Sequence, residues 1–191
     1  SKIVLRAAMD ACPEGAADTV RTVFSSRHGS INESVGLLEN VARGEKVSPA
    51  KFSHTVHNAQ AGLFSIAAGN RCASSSLSAR EDSFGAGLLE AMTHLEREPD
   101  CPVLFVTGDV PLDPVFAAMV DEPACAYAVA LRLTTSSDDA GFETRVEPAT
   151  DTAAEPGWPA AAEFLRHWIL GSERFALETP RLRWSFERTP G

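Results

Sequence analysis

The chain has 191 residues, 44% of them hydrophobic and 23% charged. That length fits one domain, the composition excludes disorder over the bulk of it, and no apolar run reaches the roughly 18–20 residues of a membrane span. Its 17 basic and 26 acidic residues give a net charge of −9, nearly all of it local. Residues 1–70 carry seven basic and six acidic groups, 71–150 five and fourteen, and 151–191 five and six, so the basic stripe of a nucleic-acid binder is missing.

Residues 1–12, rich in Ala and Leu-type side chains, read as a helix, and ACPEGAAD as a loop. TVRTVFSS is β-branched and alternating, which predicts a strand, and RHGS a turn. Asn32 is placed to cap a helix running through Val41, with Ile31, Val35, Leu38 and Val41 as its apolar set. ARGEKVSPAKF is a polar connector. Val56 to Gly69 has helical spacing and a Gly-Asn stop. ASSSLSA, short and small, is consistent with a buried strand. Asp82 to Glu98 is the clearest helix, with Phe84, Leu88, Met92 and Leu95 on one face. Val103 to Val106 is a fully apolar strand, ACAYAVALRLT a second and GFETRVEP a third. TDTAAEPGWPAA is a soft segment, Glu163 to Leu170 a short helix, and RLRWSFER an edge strand or an arm. This order predicts a layered α/β domain, with a parallel crossover from ASSSLSA through the helix to VLFV.

The four cysteines (Cys12, Cys72, Cys101, Cys125) have neither CxxC nor zinc spacing, and read as free thiols of a reducing cytoplasm. Asp121-Glu122 and Asp138-Asp139 lack the spacing of a calcium loop. GxGxxG, GxxxxGK[ST] and G-x-S-x-G are all missing, so no nucleotide, cofactor or metal is expected. Gly108-Asp109-Val110-Pro111 at a strand end reads as a turn, with ligand binding as the alternative.

From Ser48 to Leu133 the sequence runs SPAKFSHTVHNAQAGLFSIAAGNRCASSSLSAREDSFGAGLLEAM, then VLFVTGDVP, then ACAYAVALRLT. In order and spacing this resembles the N-terminal half of a β-ketoacyl synthase, with a thiolase-like fold. It is similar above all to the shortened ketosynthase-like subunits of aryl polyene systems, through Val56 to Ala59, Leu77 to Phe84 and Trp184 to Arg188. The resemblance implies a truncated thiolase-like α/β fold, with a ketosynthase-like half-domain over residues 1–150 and a remnant helix and arm over 151–191. A working ketosynthase places its nucleophilic Cys where a strand turns into a helix. There the helix N-terminus favours thiolate and oxyanion. Alignment on Ala86 to Ala91 puts Glu81 at that position, and Cys72 lies nine residues earlier, before the strand. The family's catalytic His pair and Lys come from its second half, whereas His167 is the single His after Asp151. The expectation is therefore a subunit without the condensing residues.

Ser78 and Glu81 form an S-x-x-E pattern, which reads as a capping box. A retained active-site role and a tunnel lining are the alternatives for Glu81. His57 and Asn58 read as packed interface residues, with catalysis as the alternative, and Ser53, His54 and Asp82 can be drawn as a triad. Phe52, Phe64 and Met92 are either tunnel-facing bulk or ordinary core. The resemblance implies a chain-length-factor-like subunit. It would close the acyl tunnel of a heterodimer with a complete ketosynthase, with the strand Ser74 to Ala79 at the interface and the acyl carrier protein docked on the partner. A stand-alone acyltransferase or hydrolase using Cys72 or a Ser/His pair is the competing reading.

Overall fold

The structure, a computed structural model, describes residues 2–119, 123–135, 141–149 and 157–189. Both acidic pairs, and most of the soft segment after residue 149, fall at least partly outside these.

A four-stranded sheet organises the first part of the chain. Its strands are β1 (Arg21–Ser25), β2 (Ser74–Leu77), β3 (Val103–Asp109) and β4 (Tyr127–Leu133), in the order β2-β1-β3-β4. β1 is parallel to both β2 and β3, and β4 runs antiparallel to β3. Alternation along β1 and β3 divides the core in two. Phe24, Leu104 and Val106 face α1 (Lys2–Asp10) and α4 (Ala59–Ala68), whereas Val23, Val103 and Phe105 face α5 (Ser83–Arg97).

Between β1 and β2 come α2 (Ile31–Ala42), α3 (Pro49–Ser53) and α4 (Ala59–Ala68). The connector ARGEKVSPAKF therefore hides a helix. Ser48 caps it by accepting from the Lys51 N–H, and Pro49 suits its first turn. α4 ends at Gly69, in the left-handed conformation (φ 65°) that the Gly-Asn stop predicts. Asn32 does not cap α2. Its side chain instead bridges to the segment after β3, donating to the Pro111 carbonyl at 2.9 Å and accepting from the Asp113 N–H at 2.8 Å. No residue of α2 is buried, and Leu38 and Val41 of its apolar set are exposed. ASSSLSA is likewise a partly exposed edge strand, not a buried one.

From β2 the chain enters a 3-10 turn, Arg80–Asp82, and then α5 (Ser83–Arg97), which crosses to β3. α5 lies close to the sheet because of its glycines. A Cβ at Gly87 would sit 2.6 Å from the Phe105 ring. β3 runs on through Gly108 and Asp109, which pair with Ala128 and Tyr127, so the expected turn at these two residues is strand.

β5 (Gly141–Pro148), α6 (Ala160–Ile169), β6 (Arg174–Glu178) and β7 (Leu182–Thr189) complete the fold. The second sheet has the antiparallel order β5-β7-β6. RLRWSFER is thus a central strand, not an edge or an arm, and it pairs with β5 across residue 150. Trp184 and Phe186 of β7 join Phe84, Leu88, Phe105 and Phe164 in one core. Each such side chain contributes about 1.5–3 kcal/mol of burial.

Candidate functional site

Open α/β sheets present their sites beyond the C-terminal ends of the parallel strands. Here β1, β2 and β3 end together at Ser25, Leu77 and Asp109. Asp109 is buried and organises the loop after β1. Its carboxylate accepts from the Ser26 hydroxyl at 2.6 Å, the Arg27 N–H at 2.9 Å, the His28 N–H at 3.0 Å and the Tyr127 hydroxyl at 3.3 Å. The fixed loop sends Arg27 to Glu81, 2.9 Å away, with both side chains largely out of solvent.

The turn from β2 to α5 carries three charged residues in a row, with three different fates. Arg80 points outward and has φ 58°, the one positive value among the described non-glycine residues. Backbone strain therefore sits one residue before Glu81. Glu81 faces Arg27. Asp82 turns inward, 2% exposed, and accepts from Thr179 Oγ1 at 2.7 Å, Arg181 Nη2 at 2.9 Å and Trp184 Nε1 at 3.1 Å. Two motifs about a hundred residues apart, EDSF and W-x-F-E-R, are thus in direct contact.

The expected capping box does not form. The α-helix begins at Ser83, and the Ser78 hydroxyl donates to the Arg27 carbonyl at 3.2 Å. Ser83 does the capping work: its hydroxyl accepts from the Ala79 N–H at 2.9 Å and donates to the Arg80 carbonyl at 2.6 Å. Glu81 is instead directed to Arg27, 2.9 Å away.

The Ser53-His54-Asp82 triad is not assembled either. The Ser53 hydroxyl donates to the Ala50 carbonyl, and Asp82 is engaged by β6–β7 residues. His57 and Asn58 are exposed just before α4. His57 lies against Gly29 and, with Asp109, lines a recess of about 40 Å³, enough for one water. Phe64 is core beside Phe24, on the α1/α4 face of the sheet. Met92 packs on the opposite face, in a groove of about 650 Å³ with Leu88, Leu131 and Phe142. Phe52 is exposed on α3. These three therefore share no common surface within the chain. Cys72 is exposed at the N-terminal end of β2, near the Asp18 carbonyl, at the opposite end of the strand from the turn.

Arg27, the Asp82–Trp184 contact and the hold of Asp109 on the loop after β1 were missed by sequence reasoning. Asp109 left one signal, a lone charge closing an apolar strand. Arg27 left none. Among the described residues no His, Cys, Asp and Glu cluster could hold a metal, and no helix is long and apolar enough to cross a membrane.

This mixed α/β fold, with its strand-to-helix turn at the C-terminal edge of a parallel sheet, is thiolase-like. Residues 1–187 match the β-ketoacyl synthase N-terminal domain, and the chain belongs to that family. The match extends well past residue 150, into the W-x-F-E-R segment. Among solved structures the chain is similar to one titled ketosynthase (ApeO) in complex with its chain length factor (ApeC) from Xenorhabdus doucetiae. The TM-score is 0.86 at 27% identity, over 98% of this chain and 76% of that one. The fold is also similar to PksG, an HMG-CoA synthase from Bacillus subtilis, with a TM-score of 0.50 at 16% identity. That match covers 80% of this chain and 35% of that one. No protein of curated function matches it.

Proposed function

We propose that this chain is a non-catalytic, chain-length-factor-like subunit that pairs with an active β-ketoacyl-ACP synthase and closes the acyl tunnel of the heterodimer. One observation carries this reading. At the strand-to-helix turn, where the family holds its thiol, stand Arg80, Glu81 and Asp82, and the Glu81 carboxylate is paired with Arg27. A carboxylate is a poor acyl acceptor beside a thiolate, and one held by an arginine is poorer still. Neither register of the elbow, Arg80 by strain or Glu81 by alignment, supplies a nucleophile.

Two further features favour a partner. Among the described residues the outer edge of β2 pairs with no strand, and no residue of α2 is fully buried. Both call for a cover. The likeness to a solved ketosynthase–chain length factor complex supports a partner of that kind. On this reading the complex elongates polyene or fatty-acid-like chains, as in aryl polyene systems, in the cytoplasm. The acyl carrier protein docks on the ketosynthase, because the acidic middle of this chain repels an acidic carrier.

Co-expression with a ketosynthase from the same genome tests the proposal. The expected result is a one-to-one heterodimer in which a labelled acyl-carrier substrate acylates the ketosynthase alone. A monomer without affinity for any such ketosynthase, or an acyl adduct on Cys72 of this chain, would refute it.

A further inference from the structure

A residue with a side chain at positive φ is held there against its own preference, and such strain persists only where the surroundings fix it. Arg80 is held so. The Asp82 N–H donates to the Ala79 carbonyl at 3.1 Å, and the Ser83 hydroxyl ties the Ala79 N–H to the Arg80 carbonyl. Glycine would relax the turn at no cost to those bonds, yet the position carries a long cation. Its guanidinium contributes little to the fold. It is 78% exposed, and its contact with Glu81 is loose, 3.8 Å against the 2.9 Å from Arg27. The residue also lies three positions beyond β2, whose outer edge pairs with no strand among the described residues.

We infer that Arg80 is an interface specificity residue, which meets a carboxylate on the ketosynthase that covers the β2 edge. This rests on the heterodimer proposed above. The neighbourhood favours an anionic partner group. Of the three arginines around the two carboxylates of the turn, Arg80 is the most exposed and makes the loosest contact. Arg27 and Arg181 already hold those carboxylates at 2.9 Å each, which leaves Arg80 to reach outward. A desolvated cross-interface pair selects for partners with the matching acid and against those with a base at that point.

The test is Arg80→Gly and Arg80→Lys in the co-expressed complex, with affinity measured at low and high salt and thermal stability measured alongside. Arg80→Gly should leave stability equal or higher, since it relieves the strain, and should weaken association about tenfold or more at low salt. The deficit should shrink as salt rises, and Arg80→Lys should recover part of it. Wild-type affinity in Arg80→Gly overturns the inference, and so does a loss of stability, because the arginine would then be structural. If the wild-type chain binds no ketosynthase, the heterodimer reading itself fails. If it binds and Arg80→Gly binds equally, only the present inference fails.

Discussion

Replacing Asp82 tests whether the β2–α5 turn and the C-terminal sheet stabilise one another. In Asp82→Ala the Trp184 N–H, on a side chain 4% exposed, loses its acceptor. Leaving a buried donor unpaired costs about 1–3 kcal/mol. Thr179 loses less, because its hydroxyl already lies 3.0 Å from the Leu182 carbonyl and can donate there. Arg181 is more than half exposed, so its share is held below about 1 kcal/mol by solvent. The sum is about 2–4 kcal/mol, or a Tm lower by about 5–15 °C for a chain of this size. Asp82→Asn keeps an oxygen for Trp184 and Thr179 and should cost only about 1 kcal/mol. Urea unfolding followed by tryptophan fluorescence measures both. Trp184 is the buried indole, whereas Trp158 and Trp168 are exposed. A loss below about 0.5 kcal/mol in Asp82→Ala, or equal losses in the two variants, would show that the contact does not bear on stability as argued.

Gly85→Ala should destabilise by about 1–3 kcal/mol or more in the same assay. The added Cβ would stand 2.3 Å from the Trp184 ring, whereas at Gly62 of α4 it meets nothing within 4 Å, so Gly62→Ala should stabilise. Burial pushes the Cys12 thiol above its ordinary value, with Arg132 opposing in part. Mass-spectrometric alkylation near neutral pH should therefore label exposed Cys72 several-fold faster than Cys12. A hydrogen bond from Arg21, and then its charge, holds Glu98 below the ordinary carboxylate value. Its contribution is thus present at neutral pH, begins to fall below the unfolded value and is lost as pH drops through the lower folded value. The stability difference between wild type and Glu98→Gln should vanish on acidification, which unfolding curves across that range measure.

What was legible in the sequence was whatever a single segment decides. The period of Phe84 and Leu88 marks α5, the unbroken apolar run marks β3, and Gly69 marks the end of α4. What was not legible depends on a distant partner. β7 shows its alternation locally, but its central place depends on β5 and on β6, a five-residue strand too short to announce itself. Ser78 and Glu81 satisfy a local capping pattern, yet their partner is Arg27, more than fifty residues earlier in the chain. Asn32 likewise leaves its helix for the segment after β3. α2 reverses the case: its apolar stripe is plain in the sequence, yet among the described residues nothing buries it fully, and Leu38 and Val41 stay exposed.

On the proposed reading, the lack of a nucleophile at the turn is linked to what its side chains do instead. An elbow that does chemistry must keep its residue exposed to substrate, close to donors that settle a developing anion and free of competing cations. Here each of the three residues is committed elsewhere, and every commitment involves an arginine or is one. Glu81 neutralises Arg27, which the Asp109-bound loop delivers to the strand ends. Asp82 joins α5 to Trp184 and Arg181. Arg80 stands where a nucleophile's strained backbone would be. A thiol at Glu81 would remove a carboxylate that Arg27 holds at 2.9 Å, so the change that brought a nucleophile would also cost the turn an ion pair. On the proposed reading the turn keeps the geometry of an elbow while Glu81 and Asp82 serve stability and Arg80 serves contact.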